Sequence, residues 1–393
     1  MNSNNRIDVY DSATVNSNAT QPITLCERFR KRKLMWIVLI IIVALITTIL
    51  VVVLKTKKTN NEKTSTTEET TTEPTEQIET TTEQLPPPFV IDSNTKWKQN
   101  ASTVAGGHGK GNRTNQLDQP QSIYVDDDNE SIYISDYKNH RIVRWGFNST
   151  HGEVVAGGNG TGNRIDQLKT PTDAILDKKD SSLIICDFGN ARVVKWSRQH
   201  DTTSQRIIVS RIGCWSLAMD NNGDLYVSDF VTDAVILWKR GQTKGTKVAG
   251  KSRNADSTSR KRNFAYIFVD EYYSVYVADW VDGEAMEWKK DAKNGTIVAR
   301  AHTNEMMLDT PPRLAGVIVD SMGNIYVSDT MACQITRWLP GEKFGGTVAG
   351  GKGCGKGARQ LFAPYDLSFD RQGNLYVVDY GNSRVQKFAV EHD

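Results

Sequence analysis

The sequence predicts an all-β fold, a ring of six repeated four-stranded units, and three observations carry that expectation. Six strings of the form apolar-[Tyr/Ile]-[Ile/Val]-x-Asp end at Asp136, Asp187, Asp229, Asp279, Asp329 and Asp379, at intervals of 42 to 51 residues. A second aspartate precedes each (Asp126, Asp177, Asp220, Asp270, Asp320, Asp370), and an aromatic closes the run that follows (Trp145, Trp196, Trp238, Trp288, Trp338, Phe388). Between these landmarks apolar and polar residues alternate with period two, and no helical period interrupts them. Six such units of short strands are the signature of a six-bladed β-propeller.

The 393 residues carry a net charge of +2 with 24% charged residues, a balance that points to no nucleic-acid partner. Residues 1–33 read as a cytoplasmic, disordered tail ending in Arg28, Arg30, Lys31, Arg32 and Lys33. Leu34–Leu54 is an uncharged run, about 32 Å long as a helix and so long enough to span a bilayer core. Five basic residues precede it against Lys55, Lys57 and Lys58 after it, which favours a cytoplasmic N-terminus. The expectation is a single-pass type II protein at the plasma membrane or another membrane of the secretory pathway. Cys26 is a candidate for palmitoylation, although a free thiol is the plainer reading.

Residues 55–97, with "TTEE", "TTTEPTEQ" and "TTTEQLPPP", lack the large apolar side chains that could offset ordering entropy, and they read as a disordered Thr-rich stalk. Beyond the span lie N-x-S/T sequons at Asn100, Asn112, Asn129, Asn148, Asn159 and Asn294, consistent with a glycosylated extracellular domain. The propeller is expected over 98–393. Gly223, Gly323 and Gly373 mark tight turns between the first and second strands of their units. The chain enters on a fourth-strand string, "STVAGG" (Ser102–Gly107), and leaves on a third-strand string, "RVQKF". An N-terminal outer strand is therefore expected to complete the last blade and hide its edge.

The strings "NLYVVDYGNSRVQKF" (Asn374–Phe388), "SIYISDYKNHRIVRW" (Ser131–Trp145) and "SLIICDFGNARVVKW" (Ser182–Trp196) resemble NHL repeats, and the resemblance extends over about residues 98–390. It implies a six-bladed propeller of a kind that mostly serves as a binding platform for protein, glycan or RNA; an extracellular setting argues against RNA.

Because every unit carries one, the six strand-ending aspartates read as structural turn caps rather than as acids of an active site. Arg141, Arg192 and Arg384 follow their aspartates by five residues, a pairing of little worth if exposed. Blades 3, 4 and 5 carry Ala234, Glu284 and Gln334 there instead, so one arc of the ring departs from the pattern. Drift is the plainer explanation of this departure, and a ligand surface is the alternative. Within that arc Phe230, Trp280, Glu284 and Gln334 are candidate binding residues. Phe230 and Trp280 could act as aromatic anchors, or could pack between blades as Tyr137, Phe188 and Tyr380 at matching positions suggest. The glycine-rich runs Gly106–Pro120, Gly157–Pro171 and Gly350–Pro364 lead through Gln-Leu and Pro into a strand, not a helix, and read as connectors rather than phosphate loops.

Cys186, Cys214, Cys333 and Cys354 lie beyond the span, and four cysteines allow three connectivities. Pairing sequence neighbours joins adjacent blades, which predicts Cys186–Cys214 and Cys333–Cys354. NHL-like propellers include a zinc-dependent peptide-amidating lyase. The histidines here (His108, His140, His151, His200, His302, His392) fall in connectors, turns or the tail, so no catalytic residue, metal site or cofactor is expected. The oxygens of Asp126–Ser131 and Asp220–Asp224 could hold calcium, although both stretches also read as hairpin turns. The expected function is non-catalytic recognition of a protein or glycan on one propeller face. The alternative is a membrane-tethered propeller enzyme, a metal-dependent lyase or lactonase-type hydrolase with a channel-centred site.

Overall fold

The computed structural model describes residues 89–198, 205–250, 264–302 and 313–392. The expected tail, the Leu34–Leu54 span, Cys26, the stalk up to residue 88 and His200 lie outside the described residues. Among the described residues no helix is long and apolar enough to cross a membrane.

The alternating runs form antiparallel four-stranded sheets. Blade 1 comprises β2 (Pro120–Asp126), β3 (Ser131–Asp136), β4 (Arg141–Gly146) and β5 (Glu153–Gly157); blade 2 comprises β6 (Asp173–Asp177), β7 (Ser182–Asp187), β8 (Arg192–Ser197) and β9 (Arg206–Ser210). Blade 3 runs through β10 (Cys214–Met219), β11 (Leu225–Asp229), β12 (Ala234–Trp238) and β13 (Thr246–Gly250). Blade 4 runs through β14 (Phe264–Val269), β15 (Val275–Asp279), β16 (Glu284–Trp288) and β17 (Thr296–Arg300). Blade 5 comprises β18 (Leu314–Val319), β19 (Ile325–Asp329), β20 (Gln334–Trp338) and β21 (Gly346–Gly350). In blade 6, β22 (Pro364–Phe369), β23 (Leu375–Asp379) and β24 (Arg384–Phe388) are joined by β1 (Ser102–Gly106), which pairs Ser102 with Lys387 and Gly106 with Arg384.

The first strands touch one another in the cycle β2, β6, β10, β14, β18, β22 and back to β2, and so line a central channel. The second strands are buried along their whole length, whereas the outer β9 is largely exposed. Apolar side chains pack between blades: Ile132, Ile134 and Val143 of blade 1 meet Tyr376, Val378 and Val385 of blade 6.

The expected boundary at residue 98 lies too far along the chain, because residues 89–97 are not stalk. Ile91 and Trp97 are buried in a cluster with Tyr326, Leu375 and Phe388. The Trp97 indole donates to the Gly373 carbonyl (2.8 Å), and the Arg337 guanidinium donates to the carbonyls of Asp92, Ser93 and Thr95 at 2.7–3.0 Å. The large apolar side chains that the Thr-rich run lacks resume at Phe89. Of these, Ile91 and Trp97 supply the buried surface that orders this strap, while Phe89 and Val90 stay exposed.

Both expected disulfides are present, with Cα atoms 5.4 Å apart for Cys186–Cys214 and 5.3 Å apart for Cys333–Cys354. The first ties β7 to β10, joining blades 2 and 3; the second ties a blade 5 turn to the connector entering blade 6. The six sequon asparagines are all exposed.

Candidate functional site

At the end of each second strand the aspartate is buried, and its role depends on the blade. In blade 1 Asp136 accepts from the Asp118 N–H, the Asn139 amide and Arg141 Nε, each at 2.8 Å. Arg141 in turn donates to the carbonyls of Asn112, Arg113 and Gln116 at 2.8–3.2 Å. Blade 2 repeats this with Asp187, Asn190 and Arg192 against residues 163–169, and blade 6 with Asp379, Asn382 and Arg384 against residues 357–362. The aspartate and arginine therefore clasp the preceding connector. Leu117, Leu168 and Leu361 of those connectors are driven fully into the core.

Two expectations change here. In blades 1, 2 and 6 the aspartate does not cap its own turn through backbone N–H groups; it reaches back to the connector. The ion pair is also not an exposed one, since the carboxylates are 0% exposed and the arginines at most 11%. Burial pushes the Asp136 and Asp379 carboxyls above the usual range, against the pull of the asparagine, the N–H and the arginine.

Blades 3, 4 and 5 do use their aspartates as turn caps. Asp229 accepts from Val231 N–H, Asp279 from Val281 and Asp282, and Asp329 from Ala332. The connectors before these blades lack the Gln-Leu pair shared by the three clasped connectors (Gln116-Leu117, Gln167-Leu168, Gln360-Leu361). Glu284 and Gln334 do not join the candidate site: Glu284 pairs with Arg300 at 3.1 Å, and Gln334 accepts from the Thr347 hydroxyl at 2.9 Å. These two are engaged within their own blades, across the β16–β17 and β20–β21 pairs.

Phe230 and Trp280 behave differently. Phe230 stacks on Trp215 (centroids 4.9 Å apart), and Phe188 meets Trp215 edge-on (5.3 Å). Trp280 packs on Tyr365 (5.4 Å), which stacks on Tyr380 (4.3 Å). Between the two aromatic groups lies an apolar cup of about 160 Å³, lined by Trp215, Phe230, Ala265, Tyr266, Trp280, Ala315 and Tyr365. Phe230 and Trp280 pack against neighbouring rings, yet both stay half-exposed and form the cup wall. At the position that carries an aromatic in the other five blades, blade 5 has Thr330, whose N–H and hydroxyl both donate to the Arg313 carbonyl at 3.1 Å. The Arg313 guanidinium lies 5.1 Å above the Trp280 ring.

Tyr266 forms the floor. Fully buried on β14 of blade 4, it reaches across the channel and donates its hydroxyl to the Gln121 carbonyl of blade 1 (2.8 Å). Beneath it a second hollow of about 480 Å³ contains Asp173 and Asp366. Burial raises Asp173 to about 6, and burial together with the Asp173 charge raises Asp366. Their oxygens are committed to structure. Asp173 accepts from Ala174 and Leu217 N–H (2.8 and 2.7 Å), and Asp366 from Leu367 and Ile123 N–H (both 2.9 Å). Each carboxylate thus ties its own first strand to that of the next blade, at an irregular point in the neighbour's ladder.

Residues 126–131 and 220–224 are hairpin turns whose carboxylates are met by protein donors. Asp128 pairs with Lys178 (2.5 Å) and Arg371 (2.6 Å), and Asp220 accepts from Asn222 and Asp224 N–H (2.9 Å each). Among the described residues no three His, Cys, Asp or Glu side chains come together.

The cup escaped the sequence reading although a signal was present. Aligning the six first strands on their partners gives Gln121, Thr172, Trp215, Ala265, Ala315 and Tyr365 at one level of the channel. Large rings beside two alanines mark the hollow.

The NHL repeat profile matches residues 117–145 and 364–388, the two regions of blades 1 and 6 that carry the aspartate–arginine clasp. No curated protein matches the chain. Among solved structures, a protein of unknown function from Bacteroides thetaiotaomicron aligns with a TM-score of 0.56 at 16% identity, over 75% of this chain and 77% of that one. An auxiliary nutrient binding protein from Bacteroides ovatus aligns at 0.54 and 15%, over 78% and 76%. A putative gluconolactonase aligns at 0.51 and 14%, over 77% and 96%. At these identities the likeness is one of fold. With the repeat profile matched in the first and last blades of a six-bladed ring, the chain carries NHL repeats.

Proposed function

We propose that the protein is a recognition module, a propeller closed by its N-terminal strand and held on a type II membrane anchor at Leu34–Leu54, which binds its ligand without catalysis. One observation carries this reading: a half-exposed aromatic cup at one mouth of a channel whose floor is closed by Tyr266. Aromatic rings in a concave, largely apolar setting are the commonest anchors of binding energy. The point of chain entry supports it as well. Phe89 N–H donates to the Arg371 carbonyl, in the hairpin at the end of blade 6 remote from the cup.

The test is proximity labelling from the full chain on the cell surface, comparing wild type with the Phe230→Ala, Trp280→Ala double variant. Neighbours labelled by the wild type should be lost from the double variant; identical labelling sinks the reading. The enzyme alternative draws on the two raised carboxyls under Tyr266, and lactone turnover abolished by Asp366→Asn would establish it.

A further inference from the structure

The cup has a size, a surface and an edge charge, and together they select a ligand. An apolar cavity of about 150 Å³ accommodates a benzene ring, and the cup measures about 160 Å³. Its lining presents ring faces and two alanine methyl groups, while the single side-chain hydroxyl at its floor, that of Tyr266, is already donated to Gln121. A sugar seated there would bury several hydroxyls against ring faces, with the unpartnered Trp215 indole N–H to meet one of them and the rest left unpaired. An aromatic side chain would leave none.

The edge carries a cation beside the aromatic wall. Arg313 lies over Trp280, and its charge also acts on the Tyr365 hydroxyl on the same wall. Among the described residues no carboxylate pairs with Arg313. Asp229, Asp279 and Asp329 at the strand ends are buried and accept backbone N–H groups, while the half-buried Asp233 and Asp282 lie in the same turns as Phe230 and Trp280.

Resting on the recognition reading, we propose that the cup takes an aromatic side chain flanked by a carboxylate, as an acidic loop or the C-terminus of a partner protein would present it. The ring enters between Phe230 and Trp280, and the carboxylate meets Arg313.

Ligand-observed NMR on the full chain in nanodiscs tests this with four probes: 3-phenylpropionate, 3-phenylpropanol, 3-phenylpropylamine and methyl β-glucoside. The expected order of binding is acid, then alcohol, then amine, with no glucoside signal. Trp280→Ala should abolish binding of all three phenyl probes. Arg313→Gln should weaken the acid about two- to fivefold, the range for a partly exposed ion pair, and weaken the alcohol less. Equal binding of acid and amine, or an unaltered acid affinity in Arg313→Gln, overturns the proposal. Glucoside binding that Trp280→Ala removes also overturns it while sparing the recognition reading. If no probe binds but surface labelling still depends on Phe230 and Trp280, the ligand chemistry proposed here is wrong and the recognition reading stands.

Discussion

Arg141 and Arg300 both pair with a carboxylate, yet they should differ in weight. Arg141 is almost enclosed and serves one buried carboxylate and three connector carbonyls, whereas the Arg300 side chain is 62% exposed beside Glu284. Arg141→Ala leaves a carboxylate buried without its counter-charge and should lower stability by about 3–5 kcal/mol. Arg300→Ala should cost under about 1 kcal/mol. Urea unfolding of the two variants checks the contrast. Asp173 gives a pH signature. Its folded value, about 6, lies above the unfolded value near 3.8, so the stability it favours is complete below the unfolded value and is lost as pH rises through about 6. The Tm should therefore fall as pH rises above about 4, by an amount that Asp173→Asn reduces, the neighbouring Asp366 carboxyl being raised as well.

The strap at residues 89–98 and the two disulfides are elements that fasten blades together. Trp97 is 2% exposed, lies near-parallel to Phe369 (5.9 Å) and meets Tyr326 edge-on (5.8 Å). Trp97→Ala should lower stability by about 3–5 kcal/mol, the usual cost of emptying a site that held a buried aromatic. Removing either disulfide releases a loop of modest length, 28 residues for Cys186–Cys214 and 21 for Cys333–Cys354. Chain entropy then predicts similar losses, about 3–4 kcal/mol each. Thermal unfolding of Cys186→Ala, Cys214→Ala and of Cys333→Ala, Cys354→Ala, each against wild type, checks this; a much larger effect of the first pair would point to lost packing in the buried site.

For the molecule as a whole, one tyrosine governs the channel. Tyr266 separates the aromatic cup from the polar hollow beneath it. Tyr266→Phe keeps the ring and leaves the Gln121 carbonyl without its donor, so it should cost about 1–3 kcal/mol and preserve the cup. Tyr266→Ala should join the two hollows, admit water to the cup floor and weaken 3-phenylpropionate binding well beyond the effect of Tyr266→Phe. Phenylpropionate titrations of the two variants separate the role of the ring from that of the hydroxyl.

Period and punctuation, the features that sequence carries best, determined the number of blades, their four-strand composition and both disulfide pairs. Each depends on residues local to a unit or on the repetition of that unit. The six aspartates were legible as structural for the same reason, although their partners in blades 1, 2 and 6 lie 17 or 18 residues upstream and were not. Only the tertiary structure decided which departures from the repeat mattered. Glu284 and Gln334 turned out to be engaged within their own blades, while Trp215, Tyr266 and Tyr365, unremarkable in their own strands, and Arg313 just before β18 converge with Phe230 and Trp280. That convergence exists because closing the ring brings the first strands of blades 3 to 6 around one axis, and distance across a ring is not written in the spacing along a chain.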